Sequence, residues 1–196
     1  MAAGGRPSVR SRHMKNMVEA VDRLPAGRSR ALLAAFEPDD VRLVRESSPT
    51  EWLEVGVNLR MTETIWTTSD PAAREQFFRA LAAGDFESSY LKSLVTSALQ
   101  LFGPSPGHLI KWVPRGWPAM FRDCGEVEAT DVTDETARLV YSGLPPVLAS
   151  SAVWIHSVRA SLGTLLDVAR RSGQVTLEQH DPAARRAVLL FRWQGA

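Results

Sequence analysis

The side chains with which this 196-residue chain could do chemistry are few: four histidines, one cysteine and six tryptophans. A zinc site needs His, Cys or carboxylate ligands at short spacings. His13, His108, His156 and His180 fall in an N-terminal tail, at a helix start, on a helix and in a turn, and none has another or Cys124 at metal-ligand spacing. No metal site is expected. Cys124 follows Asp123, and a neighbouring acid disfavours the thiolate, so the thiol reads as a buried structural group. Ser89-Tyr90-Leu91-Lys92 fits a Ser-x-x-Lys nucleophile pattern, but the Ser-Asp-Asn and Lys-Thr-Gly companions are missing. Neither a Gly-x-Ser-x-Gly elbow nor a phosphate-binding glycine loop occurs. Glu126 and Glu128 share one face of a strand, where carboxylates are usually solvated. The expectation is a protein that is not an enzyme.

The tryptophans are the least ordinary feature. Trp112, Trp117 and Phe121 crowd one proline-broken segment, Trp154 opens a helix and Trp193 closes the last strand. The simpler reading is a core in which large rings fill space around the kinks. The functional reading is an aromatic-lined pocket for a small ligand, built from Trp112, Trp117, Phe121 and Trp154 with Arg115 or His156 as its polar anchor.

These residues must be positioned by a single core. A chain of this length can bury about 70% of its surface, so neither a disulfide nor a structural metal is needed. Its 23 basic and 22 acidic side chains leave a formal net charge of +1, which provides no field for nucleic acid or acidic lipid. The local exception is Arg6, Arg10, Arg12, Lys15, Arg23, Arg28 and Arg30. No aromatic interleaves them, and residues 1–15 read as a disordered basic tail rather than a nucleic-acid arm. The absence of an apolar run behind the first charges, or of one near the roughly 20 residues of a bilayer span, points to a soluble cytoplasmic protein.

Residues 16–196 read as one α+β domain, mainly helical over 16–122 and ββαββ over 125–194. Ser48-Pro49-Thr50-Glu51 is a capping box that predicts a helix through about Thr67. Asp70-Pro71 opens a helix that Gly84 should stop, and Ser88 or Ser89 opens one that Gly103 should close. Ser105-Pro106 starts a helix through Trp112 that Pro114 should end or kink. After Gly125 the apolar period becomes two, giving a hairpin over Val127 to Ser142 and a second over Val175 to Trp193. Between them Ser150 or Ser151 caps a long helix to about Ser172, with Gly163 inside it for close packing. The simplest closure is a four-stranded antiparallel sheet with one face covered by that helix.

Thr50-Glu51-Trp52-Leu53, Ser105-Pro106 to Trp112, Phe121 to Glu126 and the Trp154 to Gly173 helix with its hairpin resemble a paralogous family of proteins of about this length known mainly from myxobacteria. That family is distantly similar to a fold group of helices plus a four-stranded antiparallel sheet. The group includes heme nitric-oxide sensors, vinyl-reductase-type ligand-binding domains and small subunits of vesicle-tethering complexes. The resemblance implies a non-enzymatic sensor or adaptor that works through protein–protein contacts, with a homodimer expected. The alternative it implies is a receptor for an apolar, aromatic or tetrapyrrole-like ligand. Heme sensors of the group use a helical axial histidine and a Tyr-x-Ser-x-Arg clamp. Here Tyr141-Ser142-Gly143-Leu144-Pro145 departs from the clamp, and His108 is the only histidine near the right region. No cofactor is therefore expected; these departures put heme in doubt without excluding it.

Overall fold

In the computed structural model, which describes residues 5–87, 92–93, 96–97, 100 and 105–194, Val9 lies fully buried at the centre of a strand, β1 (Ser8–Arg10). Helix α1 (Ser11–Asp22) follows at once and buries Met14, Met17, Val18 and Val21, the spacing of one helical face. The expected disordered tail over 1–15 is corrected from Ser8 onward. Val9 and Met14 are apolar side chains that the core takes up, while the charges turn outward; the Arg10 guanidinium lies 3.9 Å from the centre of the Trp52 ring.

β1 also rewrites the capping box. It pairs antiparallel with β2 (Trp52–Glu54), Val9 opposite Leu53, and with β3 (Phe121–Arg122), Val9 opposite Phe121, in a three-stranded sheet ordered β2-β1-β3. Backbone bonds from Ser11 to Glu51 and from Val55 to Pro7 fix the ends of that pairing. The helix expected behind Ser48 therefore starts only at Val55, as α4 (Val55–Thr68). Before it come α2 (Ala26–Ala35) and α3 (Pro38–Glu46).

Helix α5 (Pro71–Glu87) runs straight through Gly84, the residue expected to stop it. Asp85, one residue on, is bonded to α1 and holds the extra turn in place. Most of the helix expected over Ser88 to Gly103, with Ser89 of the Ser-x-x-Lys match, lies outside the described residues. Helix α6 (Pro106–Met120) likewise passes Pro114 and keeps Pro118 inside it. The two prolines are one turn apart, so their missing N–H groups fall on one side. Leu109, Ile110 and Trp117 are buried in the core.

The last third follows the period-two reading. Strands β4 (Glu126–Thr130), β5 (Thr136–Ser142), β6 (Gly173–Asp181) and β7 (Arg186–Trp193) form an antiparallel sheet ordered β4-β5-β7-β6. Ala137, Leu139 and Tyr141 sit opposite Phe191, Leu189 and Ala187, and all six are buried. Gly125 turns the chain into β4 at φ +81°, where a Cβ would stand 2.5 Å from the Ser142 carbonyl oxygen. The connection holds a short α7 (Pro146–Ala149), then α8 (Ala152–Leu162) and α9 (Thr164–Val168). Ser151 caps α8 as expected, accepting the Trp154 N–H at 3.2 Å. The single long helix is corrected to two. Gly163 separates them, and its close neighbour is the Arg79 guanidinium of α5, 2.7 Å from where a Cβ would be. Cover of the sheet is shared: α6 packs on β4 and β5, while α8 packs on β6, α4 and α5. The α+β class stands. Among the described residues no helix is long and apolar enough to cross a membrane.

Candidate functional site

Several elements leave a hollow where they meet. α6 offers Trp112, Val113, Gly116 and Trp117 at helical spacing, and Phe121 continues the same wall in β3. α8 faces it with Trp154, Ser157, Val158 and Ser161, the two serines being too small to close the gap. α5 and α1 complete the wall with Phe78, Asp85, His13 and Met17, and β5 provides Tyr141. The cavity measures about 130 Å³.

Its aromatic wall is ordered by ring contacts. Trp117 stacks on Phe121 at 4.3 Å and meets Tyr141 and Trp154 edge-on at 5.2 and 6.1 Å. Trp154 is fixed by donating its Nε1–H to Asn58 Oδ1 at 3.0 Å. Asn58 in turn donates to the Met14 sulfur at 3.3 Å. Two residues of the wall have a polar atom left over: Trp117 Nε1 and Tyr141 Oη are buried with no hydrogen-bond partner among the described residues. Burial pushes the Tyr141 hydroxyl above its usual range, so it stays protonated and able to donate.

The charged corner is a pair. His13 Nδ1 is 2.7 Å from Asp85 Oδ2, and Asn16 donates to Asp85 Oδ1 at 2.6 Å. Burial opposes charge on His13, but the carboxylate's field and hydrogen bond together outweigh it and raise the imidazole pKa. With Nδ1 on the carboxylate, Nε2 is the nitrogen left to meet a ligand.

Of the residues singled out in the sequence, Trp112, Trp117, Phe121 and Trp154 line this cavity; Arg115 and His156 do not. Arg115 is exposed, its guanidinium 4.5 Å from the Trp112 ring centre. His156 stacks on Trp66 at 5.8 Å, and its pKa is lowered by burial and then by Arg159 and His180. The ionisable side chains that do line the cavity include His13 and Asp85. Sequence spacing carried no sign of this pair, because the two lie 72 residues apart and His13 sits in a stretch that reads as basic tail. Cys124 is buried, and desolvation lifts its thiol to about 12. Among the described residues no group of three or more His, Cys, Asp or Glu is placed to hold a metal ion.

Fold and cavity together define an α+β domain with a hollow lined by aromatic and aliphatic side chains. Solved H-NOX (heme-NO binding) domains share this architecture over nearly the whole chain. A mutant H-NOX protein from K. algicida in the Fe(II) unliganded form matches with a TM-score of 0.62 at 10% identity, covering 94% of this chain and 96% of that one. The H-NOX protein from S. oneidensis in the Fe(II)NO ligation state matches with a TM-score of 0.62 at 11% identity, over 95% and 99% of the two chains. An H-NOX structure probing heme distortion gives 0.60 at 7% identity, over 95% and 94%. At such identities the likeness establishes the fold. No protein-family model and no curated protein sequence matches the chain.

The expectation of no cofactor is corrected by these neighbours, since the fold is one whose solved structures are described with Fe(II) and heme. The cavity as packed does not fit that group. It is smaller than the roughly 300–1,000 Å³ of sites that enclose drug-sized ligands. Among the described residues neither Arg nor Lys lines it to meet carboxylates, and His108 lies outside its lining. Its size is close to a cavity that takes benzene or xenon, ~150 Å³.

Proposed function

We propose that this chain is a sensor domain that binds one small, mainly apolar molecule in the cavity between α1, α5, α6, α8 and β5 and does not transform it. The observation that carries the reading is an apolar hollow of about 130 Å³ lined by aromatic and aliphatic side chains of several elements. A ligand seated there would take that apolar surface out of water. The H-NOX fold supports the reading, because a solved protein of that fold carries a small ligand in its Fe(II)NO state. This favours the receptor over the adaptor as the domain's primary role. A cytoplasmic setting, an output through a protein contact and kinship with the myxobacterial paralogues belong to the same proposal and rest on the sequence.

Toluene is the simplest probe. Titrated into the protein, it is expected to raise the melting temperature and shift the emission of Trp117 and Trp154. Ser161→Leu, which fills the hollow from α8, should abolish both effects while still melting cooperatively, and toluene should be recovered chemically unchanged. Equal responses in the parent and Ser161→Leu proteins, or none in either, would contradict the reading.

A further inference from the structure

The wall of this cavity is not uniformly apolar, and what it lacks is specific. Trp117 and Tyr141 are only 5% and 1% exposed, yet neither the indole N–H nor the phenol hydroxyl has a partner among the described residues. Buried tryptophan and tyrosine usually find one, and a buried donor without an acceptor is a standing cost. The neighbouring Trp154 shows the normal arrangement, with its N–H on Asn58. Both unpaired groups stand on the same wall, their rings 5.2 Å apart and edge to face. An indole N–H can only donate, and a protonated phenol donates readily. What is missing is therefore an acceptor.

Charge narrows the acceptor's class. Among the described residues, the ionisable side chains lining the cavity besides Tyr141 are His13 and Asp85, which lie against each other at 2.7 Å. The pair offsets its own charge, and among the same residues no lysine or arginine lines the hollow. Burying an unpaired carboxylate here would go uncompensated, whereas a carbonyl oxygen needs only a donor.

Resting on the receptor reading above, we propose that the ligand is a neutral carbonyl compound, a ketone, aldehyde, lactone or quinone on an apolar body of about one ring. Trp117 Nε1 and Tyr141 Oη are the donors that recognise its oxygen. Both atoms are sealed as packed, so seating the ligand requires the two rings to turn toward it.

Calorimetric titration with ethylbenzene, acetophenone and phenylacetate separates the possibilities. Acetophenone is expected to bind about tenfold tighter than ethylbenzene, the worth of one good hydrogen bond. Phenylacetate should bind more weakly than acetophenone at neutral pH. Trp117→Phe and Tyr141→Phe should each cut the preference for acetophenone over ethylbenzene at least threefold. Equal binding of ethylbenzene and acetophenone by the parent protein would overturn the carbonyl assignment while leaving the apolar receptor intact; an ordered water on the two donors would give this result. Tighter binding of phenylacetate would overturn the neutral class. Failure of all three probes to bind would remove the receptor reading itself.

Discussion

His13 of α1 and Asp85 of α5 form a buried pair, Nδ1 to Oδ2 at 2.7 Å, that joins the first helix to the cavity across 72 residues of sequence. The pair does two things at once. It pins α1 against α5, and it gives an otherwise aromatic hollow its charged corner. Removing one partner leaves the other buried and uncompensated. Asp85→Ala, which also strands the Asn16 amide, should destabilise the fold by about 3–5 kcal/mol; urea denaturation measures it.

The same pair sets a pH dependence. Because the folded-state pKa of His13 lies above its ordinary value of 6.5, the folded protein holds the proton more tightly than the unfolded one. Its contribution to stability is full below about pH 6.5 and is lost as pH rises through the folded value. Stability measured from pH 6 upward should decline over that window, and the decline should be absent from His13→Gln.

The Trp154–Asn58 bond is expected to be worth more than its length suggests. Asn58→Ala strands a buried indole N–H, for about 1–3 kcal/mol. It should also release the Trp154 ring into the cavity and weaken toluene binding. Loss of stability without loss of binding would show that Trp154 is plain core.

The beginning of the chain is expected to behave as core, not as tail. Val9 is fully buried between Leu53 and Phe121. Val9→Ala should cost about 2 kcal/mol, and a chain starting at Lys15 should not fold. A truncated protein with the parent's melting temperature would restore the tail.

Cys124 should be nearly inert in the native state. With its thiol pushed up to about 12 by burial, reaction with a disulfide reagent at pH 8 should be slow when folded and rapid in urea. Fast native labelling would mean that β3 opens readily.

Much of this architecture was legible in the residues. Alternation of Ala137, Leu139 and Tyr141, the turn glycines and the Ser151 cap place both hairpins and the start of α8. The aromatic residues of the cavity were legible too, because so many large rings in a kinked segment ask for either a dense core or a pocket. Three-residue strands were not. Ser8–Arg10 and Trp52–Glu54 are too short to show a period and exist only because each completes the other's ladder. Nor was the helix beyond Gly84 or Pro114 legible, since tertiary bonds such as those on Asp85 override local preference. The cofactor expectation failed for a related reason: a missing motif says little about which fold a chain adopts.

Whether the hollow is a ligand site is tested most directly by a crystal structure under xenon pressure. Xenon is expected as a single ordered peak bounded by Trp117, Phe121 and Trp154, with the backbone unmoved. A core collapsed around those rings, with no xenon bound there, would contradict the receptor reading outright.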